Sequence, residues 1–395
     1  MIVRKTTKEE GKRVNALFAI AFEQPMENGP AGEEDFQGSH WASFEEAAGE
    51  MMSTLTVTDF TIQFDGSPCK MGGIGGVATL PAYRRHGGIR GIFQAALPDM
   101  YREEYDFSYL YPFSTGYYRK FGYENCVRKL SSTVDLGLLN PRRTEGRLAM
   151  AELGHGLTQA VRAVEDHWER RYNMMVLHDE KDYAWVSKED PAGKQRFTYV
   201  YFAPDGTPKA YTRFHLENQP DGRNLVSDRF FFIDREGFDG LMGLYKSMAS
   251  DHRYVKFSLP ADPAMAYLLP EWSMGAASWS VAPAGMVRVV NVERVLQKAR
   301  YLGSGVVTIG ITDPQIPENN GTFRVEFRDG QAVQVARTEE EADVNMPINA
   351  FSALISGVCA LSQAAAWMPE VSVRRENPAL AGCFYQKGMY LVDYF

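Results

Sequence analysis

The residues best equipped to do chemistry lie between Met71 and Tyr123. Arg84-Arg85-His86-Gly87-Gly88-Ile89-Arg90-Gly91 sets glycines and three arginines where a helical pattern is about to begin. Glycines let the backbone close around a ligand, and the free N–H groups of a helix start, aided by the helix dipole, hold phosphate oxygens. The segment follows Val77-Ala78-Thr79-Leu80, a β-favouring run that Pro81 stops, and reads as an anion cradle. Two common nucleotide motifs do not fit it. Gly73-Ile74-Gly75-Gly76-Val77-Ala78 matches a dinucleotide-type glycine pattern, but Thr79 and Pro81 follow where a helix should open. A P-loop requires Gly-Lys-Ser/Thr, which the segment lacks.

What remains is a phosphate loop of the form Arg-x-x-Gly-x-x-Arg-Gly placed after a strand, and it resembles the pyrophosphate loop of GNAT-type acetyltransferases. Further motifs sharpen the likeness: Pro81-x-x-Arg84-Arg85-x-Gly87-x-x-Arg90, then Ser114-x-Gly116-Tyr117-Tyr118-x-x-Phe121-Gly122-Tyr123, and an aromatic end in Asp393-Tyr394-Phe395. Together with chain length they resemble the Eis (enhanced intracellular survival) family of N-acetyltransferases. The resemblance covers the whole chain and implies an α+β fold: tandem GNAT acetyltransferase-like domains followed by a sterol carrier protein-like α+β domain.

The resemblance also implies a cosubstrate, acetyl-CoA, and roles for particular residues. Backbone N–H groups from Val77, Ala78 and Thr79 would pair with the pantetheine arm and the thioester oxygen, a β-bulge aiming one donor at the developing oxyanion. Arg85, His86, Gly87, Gly88, Ile89 and Arg90 would take the pyrophosphate. Phe113 and Ser114, expected to end the next strand where GNAT strands splay, would contact the pantetheine end. Tyr118 matches the family's acid tyrosine: a phenol near about pH 10 is protonated at neutrality and can give its proton to a thiolate. Tyr117, Tyr118, Phe121 and Tyr123 also read together as an aromatic patch of the core rather than as a catalyst. The base implied by the family is the α-carboxylate of Phe395. Such a group titrates near about 3.5 unless burial raises it or a water relays the proton. The run Phe384-Tyr385 to Phe395 reads as an ordered strand, which would supply that burial. His86 sits in the phosphate loop, and His40, His155, His167, His178, His215 and His252 carry no partner motif.

Composition limits the alternatives. The 395 residues call for two or three domains, and 45% hydrophobic with 23% charged residues is ordinary for a folded soluble chain. A formal charge of −8 speaks against nucleic acid and favours cationic small substrates. Cys69, Cys126, Cys359 and Cys383 lack metal-ligand spacing and read as reduced thiols of a cytoplasmic protein without structural zinc. Neither an export signal nor a membrane-spanning run is read, so no membrane partner is expected.

Taken in order, the chain predicts a strand at Ile2–Val3, a helix over 7–22, and an acidic loop at 23–38 carrying Glu27, Glu33, Glu34 and Asp35. That loop reads as a solvated segment or as a negative lip over an amine pocket, with Asp35 touching the amine and Phe36 and Trp41 as apolar wall. Tyr394 would also line the pocket. Strands at 50–57 and 60–64 lead into the key strand. A second unit, with a helix at 157–172, strands at 197–202, 210–216, 224–233 and 254–259, and a helix at 237–251, echoes the first without a phosphate loop. From about Val281, strands at 287–292, 306–311, 321–327 and 332–336 precede helices at 348–356 and 362–366. The expected limits are 1–140 for a catalytic GNAT domain, 141–282 for a second GNAT-like domain and 283–395 for the sterol carrier-like domain.

The expected function is transfer of an acetyl group directly from acetyl-CoA to amines of cationic small molecules such as aminoglycosides. One alternative keeps the chemistry and acetylates protein lysines or N-terminal amines. Another, from a different class, is a non-catalytic lipid-binding or scaffold protein. The family's members imply a homo-oligomer, hexamers among them.

Overall fold

The computed structural model describes residues 1–23, 38–154, 156–219, 222–262, 264, 267–268 and 275–395. By packing, the chain divides into two compact units: Met1–Val127, Ala284–Lys387 and Asp393–Phe395 form one, Arg128–Pro283 and Gly388–Val392 the other.

In the first unit, β1 (Ile2–Lys5) leads into α1 (Gly11–Phe22), followed by β2 (Gly38–Phe44), β3 (Met51–Phe64) and β4 (Ser67–Thr79). The two strands expected at 50–57 and 60–64 are one, because Thr58 and Asp59 keep pairing with Gly73 and Gly72 across the β3–β4 hairpin. Next come α2 (Gly88–Arg102), β5 (Phe107–Leu110), α3 (Thr115–Arg119) and β6 (Glu124–Asp135), whose residues from Arg128 onward belong to the second unit. Strands β1 to β4 are antiparallel neighbours and β5 lies parallel to β4. Alternation splits the side chains of this sheet between two faces. Leu55, Val57 and Ile74 pack with Ile92, Phe93 and Leu97 of α2. On the other face Ala42, Phe44 and Ala78 pack with Val14 and Leu17 of α1.

The second unit contains β7 (Arg147–Met150), α4 (Thr158–Glu169), the single turn α5 (Pro191–Lys194), β8 (Arg196–Phe202), β9 (Pro208–Gln219), β10 (Gly222–Phe232), α6 (Arg235–Ser247) and β11 (Tyr254–Pro260). Strands β7 to β10 form an antiparallel meander; β11 joins β10 in parallel and pairs antiparallel with Lys129–Asp135 of β6. Trp168, Tyr211, Phe231 and Tyr245 centre its core.

Strand β12 (Ala277–Val289) begins ten residues before the strand expected at 287, and its last residues, Met286–Val289, pair with β5. The remainder of the first unit is α7 (Val292–Lys298), β13 (Gly305–Thr312), β14 (Gly321–Arg328), β15 (Gln331–Thr338), β16 (Val344–Pro347), α8 (Ile348–Ser356), α9 (Leu361–Trp367), β17 (Ser372–Val373) and α10 (Ala379–Cys383). These strands form a separate five-stranded sheet in the order β15-β14-β13-β16-β17. Cys69, Cys126 and Cys383 are buried, Cys359 is half-buried, and none forms a disulfide. Among the described residues, no helix is long and apolar enough to cross a membrane.

Candidate active site

The site grows from a break in the sheet. Strands β4 and β5 pair from Met71↔Phe107 to Ile74↔Leu110 and then part, so Gly75–Thr79 has no strand partner on that side. In the same stretch the β3–β4 register slips: Thr54 faces Ala78 and Thr56 faces Gly75, leaving Gly76 and Val77 opposite Leu55 alone. Two residues against one is a β-bulge, which turns local N–H groups out of the ladder. Gly76 adopts φ +56°, a conformation that favours glycine.

The phosphate loop follows. Pro81 opens a short 3-10 turn, Arg85 and Gly87 both have positive φ, and α2 starts at Gly88. A Cβ on Gly88 would meet Ser53 Oγ at 2.4 Å and Ser43 Oγ at 2.6 Å, so glycine is what lets this helix start press against the sheet. Gly91 N–H reaches Gly87 O at 2.9 Å. The N–H groups of the preceding first-turn residues have no partner within the helix. Beside them lies a cavity of about 590 Å³ whose lining includes Arg85, Arg90, Tyr117, Lys120 and Gln315. Thr79, His86, Gly87, Gly88 and Ile89 share that lining, so all six residues expected to bind pyrophosphate, Arg85 to Arg90, face one space. Its side-chain cations meet no carboxylate in that lining, an environment that fits a polyphosphate.

Other expected residues are placed differently. The Ala78 side chain is buried against α1 and Val77 packs towards the α2 core, so only their backbone groups are available. Phe113 and Ser114 do not end β5, which stops at Leu110; Pro112 has no N–H for a ladder, and Ser114 instead stands at the N-cap position of α3 without a side-chain capping bond. Phe113 is 73% exposed, its ring 5.3 Å from that of Tyr118. Trp41 is not a pocket wall. It pairs with Leu55, is only 7% exposed, and belongs to the core beneath α2. Its neighbour His40 faces the opposite way and bonds Thr56 Oγ1 through Nδ1 at 2.9 Å. Asp35, with Glu27, Glu33, Glu34 and Phe36 of the expected lip, lies outside the described residues.

Tyr118 is 2% exposed, surrounded by the rings of Phe93, Phe113, Tyr117 and Tyr123. Burial, with Tyr117 and Tyr123 adding to it, pushes its phenol above the ordinary tyrosine range, so it stays protonated. The turn after it is fixed from afar. Gly122 has φ +85°, and a Cβ there would overlap Arg288 Nη1. Arg288, fully buried, donates to Phe121 O at 2.5 Å and to both Asp313 carboxylate oxygens at 2.9 and 2.6 Å.

The tail is ordered but is not a strand: from Phe384 onward it makes only an isolated bridge, Asn173↔Met389. Beyond the backbone bonds of Gly388 and Tyr390 with Asn173 and of Lys387 with Gly357, side chains hold it. In the second unit Tyr390 donates to Ser258 O at 3.0 Å. In the first, Tyr111 donates to Asp393 O at 2.5 Å and stacks on Tyr394 at 4.5 Å. Tyr394 is otherwise 82% exposed. The Phe395 ring lies 5.1 Å from Phe60, 5.5 Å from Tyr111 and 5.8 Å from Tyr109. A Cβ on Gly73 would come within 2.6 Å of this ring. One on Gly75 would stand 3.2 Å from the Phe395 carbonyl carbon and 3.3 Å from its oxygen. The end of the chain thus rests on β4 beside the bulge, on the face that carries Thr56 and His40.

Residues 2–126 match the acetyltransferase (GNAT) domain family, residues 166–289 a second acetyltransferase (GNAT) domain family, and residues 292–375 the sterol carrier protein domain. The chain is an N-acetyltransferase of the GNAT class that depends on acetyl-CoA. Solved structures share its fold from end to end. A GCN5-related N-acetyltransferase from Anabaena variabilis superposes with a TM-score of 0.85 at 17% identity, covering 100% of both chains. An N-acyltransferase-like protein from Enterococcus faecalis gives 0.84 at 21%, covering 100% of this chain and 99% of that one. Eis1 from Mycobacterium abscessus gives 0.79 at 18%, covering 100% of both. The order of two GNAT domains and a sterol carrier domain is therefore the Eis architecture read from the motifs. No curated protein gives a significant match. Among the described residues, no group of three or more His, Cys, Asp or Glu could hold a metal ion.

Among the cavity-lining residues that sequence reasoning did not single out are Lys120 and Gln315. Lys120 stood in plain view inside the tyrosine motif, whereas Gln315 reaches the cavity from the sterol carrier region, where nothing local signals it.

Proposed function

We propose that the chain acetylates amines of cationic small molecules such as aminoglycosides by direct transfer, with Tyr118 as acid and the α-carboxylate of Phe395 as base. The observation that carries this reading is the end of the chain resting on Gly75, beside the bulge and at the point where β4 and β5 part. Bound acetyl-CoA supplies an acetyl group activated as a thioester. The first-turn N–H groups of α2, with Arg85 and Arg90, hold its pyrophosphate. A backbone N–H turned out by the bulge donates to the thioester oxygen as charge develops there. The Phe395 carboxylate accepts the proton of the attacking amine, directly or through one water, and the Tyr118 phenol donates to the departing sulfur.

The phenol's position suits donation more than ionisation. Burial keeps Tyr118 protonated as a donor and also disfavours a bare thiolate beside it, so the departing sulfur gains most from the phenol's proton. Rings around the tail exclude water from one side of the carboxylate and leave Tyr394 as an exposed aromatic wall for a cation.

The test incubates acetyl-CoA with tobramycin, with a lysine peptide and with a peptide bearing a free N-terminal amine, and measures product mass. Acetylated tobramycin is expected. Acetylation of the peptides alone would replace this acceptor class, and binding of acetyl-CoA without any product would overturn the choice of amines.

A further inference from the structure

We propose that Lys120 binds the 3′-phosphate of coenzyme A, so that the enzyme selects coenzyme A over its 3′-dephospho form. The assignment rests on the acetyl-CoA reading above and gives it a specificity determinant outside the loop.

A cavity of about 590 Å³ is far larger than two phosphate groups need, and lies within the usual range for a nucleotide-sized ligand. Its cations fall in two places. Arg85 and Arg90 belong to the loop at the start of α2, where N–H groups and guanidinium groups together match a pyrophosphate. Lys120 comes from the turn that follows α3, a different element. Coenzyme A carries a second anionic centre, a phosphate monoester of about −1.5 to −2 charge at neutral pH, and its dephospho form differs only in lacking it. A lysine ammonium suits such a group as a point charge with rotatable donors.

The turn is built to hold Lys120 in place. Phe121 N–H bonds Tyr118 O at 2.9 Å on one side of it, and Gln315 Nε2 donates to the Lys120 carbonyl at 3.3 Å. Asp313, two residues before Gln315, anchors Arg288, which itself holds Phe121 O. The half-buried ring of Tyr117, in the same lining, offers a flat surface for the adenine. The sterol carrier region thereby acquires a task at the cofactor: it braces the turn that reads the third phosphate.

Isothermal titration of the full chain with coenzyme A and with 3′-dephospho-coenzyme A tests the assignment without relying on turnover. The native chain should bind coenzyme A roughly tenfold or more tightly than the dephospho form at about 0.1 M salt, the size of one charge-assisted contact at an exposed site. Lys120→Met should bind both ligands with the native affinity for dephospho-coenzyme A, and Lys120→Arg should keep the preference. Lys120 is exposed, so neither change threatens the fold. Equal binding by the native chain, or a preference that survives in Lys120→Met, would overturn the assignment and leave the acetyl-CoA reading standing. Failure of the native chain to bind either ligand would overturn both.

Discussion

Replacing Gly73 by Ala should stop turnover while leaving cofactor binding intact. Its Cβ would lie 2.6, 2.7 and 2.9 Å from three atoms of the Phe395 ring. Carbon atoms rest about 3.5–4.0 Å apart, so the ring must retreat by about 1 Å. Tilting in place is blocked by Phe60, Tyr109 and Tyr111, whose ring centroids stand 5.1, 5.8 and 5.5 Å away. The terminal residue therefore shifts as a whole and takes its carboxylate off Gly75. A misplacement near 1 Å costs about 10²-fold in a positioned reaction, and that is the fall in kcat expected. Stability should drop by less than the ~1.5–3 kcal/mol of fully burying an aromatic side chain, since the ring is moved rather than removed. Gly72→Ala is the control. Its Cβ points to the other face, towards Met100 Cε at 2.4 Å, and should cost stability without touching the tail. Rates come from thiol release at saturating acetyl-CoA, and cofactor affinity from titration calorimetry. A Gly73→Ala enzyme that binds coenzyme A and keeps the native kcat would refute the reasoning.

Tyr118→Phe should lower kcat by about 10²- to 10³-fold with little change in coenzyme A affinity, and a loss below about tenfold would remove Tyr118 from the mechanism. Because burial raises the phenol above its ordinary value of about 10, it is protonated across the range from about pH 6 to pH 9. Tyr118 should therefore contribute no alkaline fall in the pH–rate profile of the native enzyme over that range. Asp313→Ala leaves the Arg288 guanidinium buried without its carboxylate and should cost about 3–5 kcal/mol, read from the urea midpoint. The apolar pair Arg288→Met with Asp313→Leu should recover much of that loss; a double variant as unstable as the single one would contradict the desolvation argument.

The order of elements was largely legible because amphipathic periods and glycine or proline stops are local signals: Ile348–Ser356 was read to the residue as α8. The phosphate loop was legible for the same reason, its glycines and arginines lying within one short segment. Registers and ends were not. Trp41 and His40 differ by one position, and in a strand one position exchanges the two faces, so a reading without register sent the indole to the pocket and left the imidazole aside. The tail's alternating aromatics suggested a strand, yet they pack by side chain on partners such as Tyr111 and Ser258 and form almost no ladder. Gly73 and Gly75 looked like part of a nucleotide motif. Their lack of a Cβ serves Phe395 at the far end of the chain, a requirement no local window contains.

The most direct measurement compares thiol release from acetyl-CoA with tobramycin by the chain ending at Phe395 and by the same chain carrying a few residues after it, with coenzyme A binding measured on both. A peptide bond in place of the carboxylate removes the proposed base and leaves the loop and cavity untouched. Native turnover, lost on extension while coenzyme A affinity is kept, is the predicted result. Equal turnover by the two chains would contradict the account at its centre, because the terminal carboxylate would then have no part in the reaction.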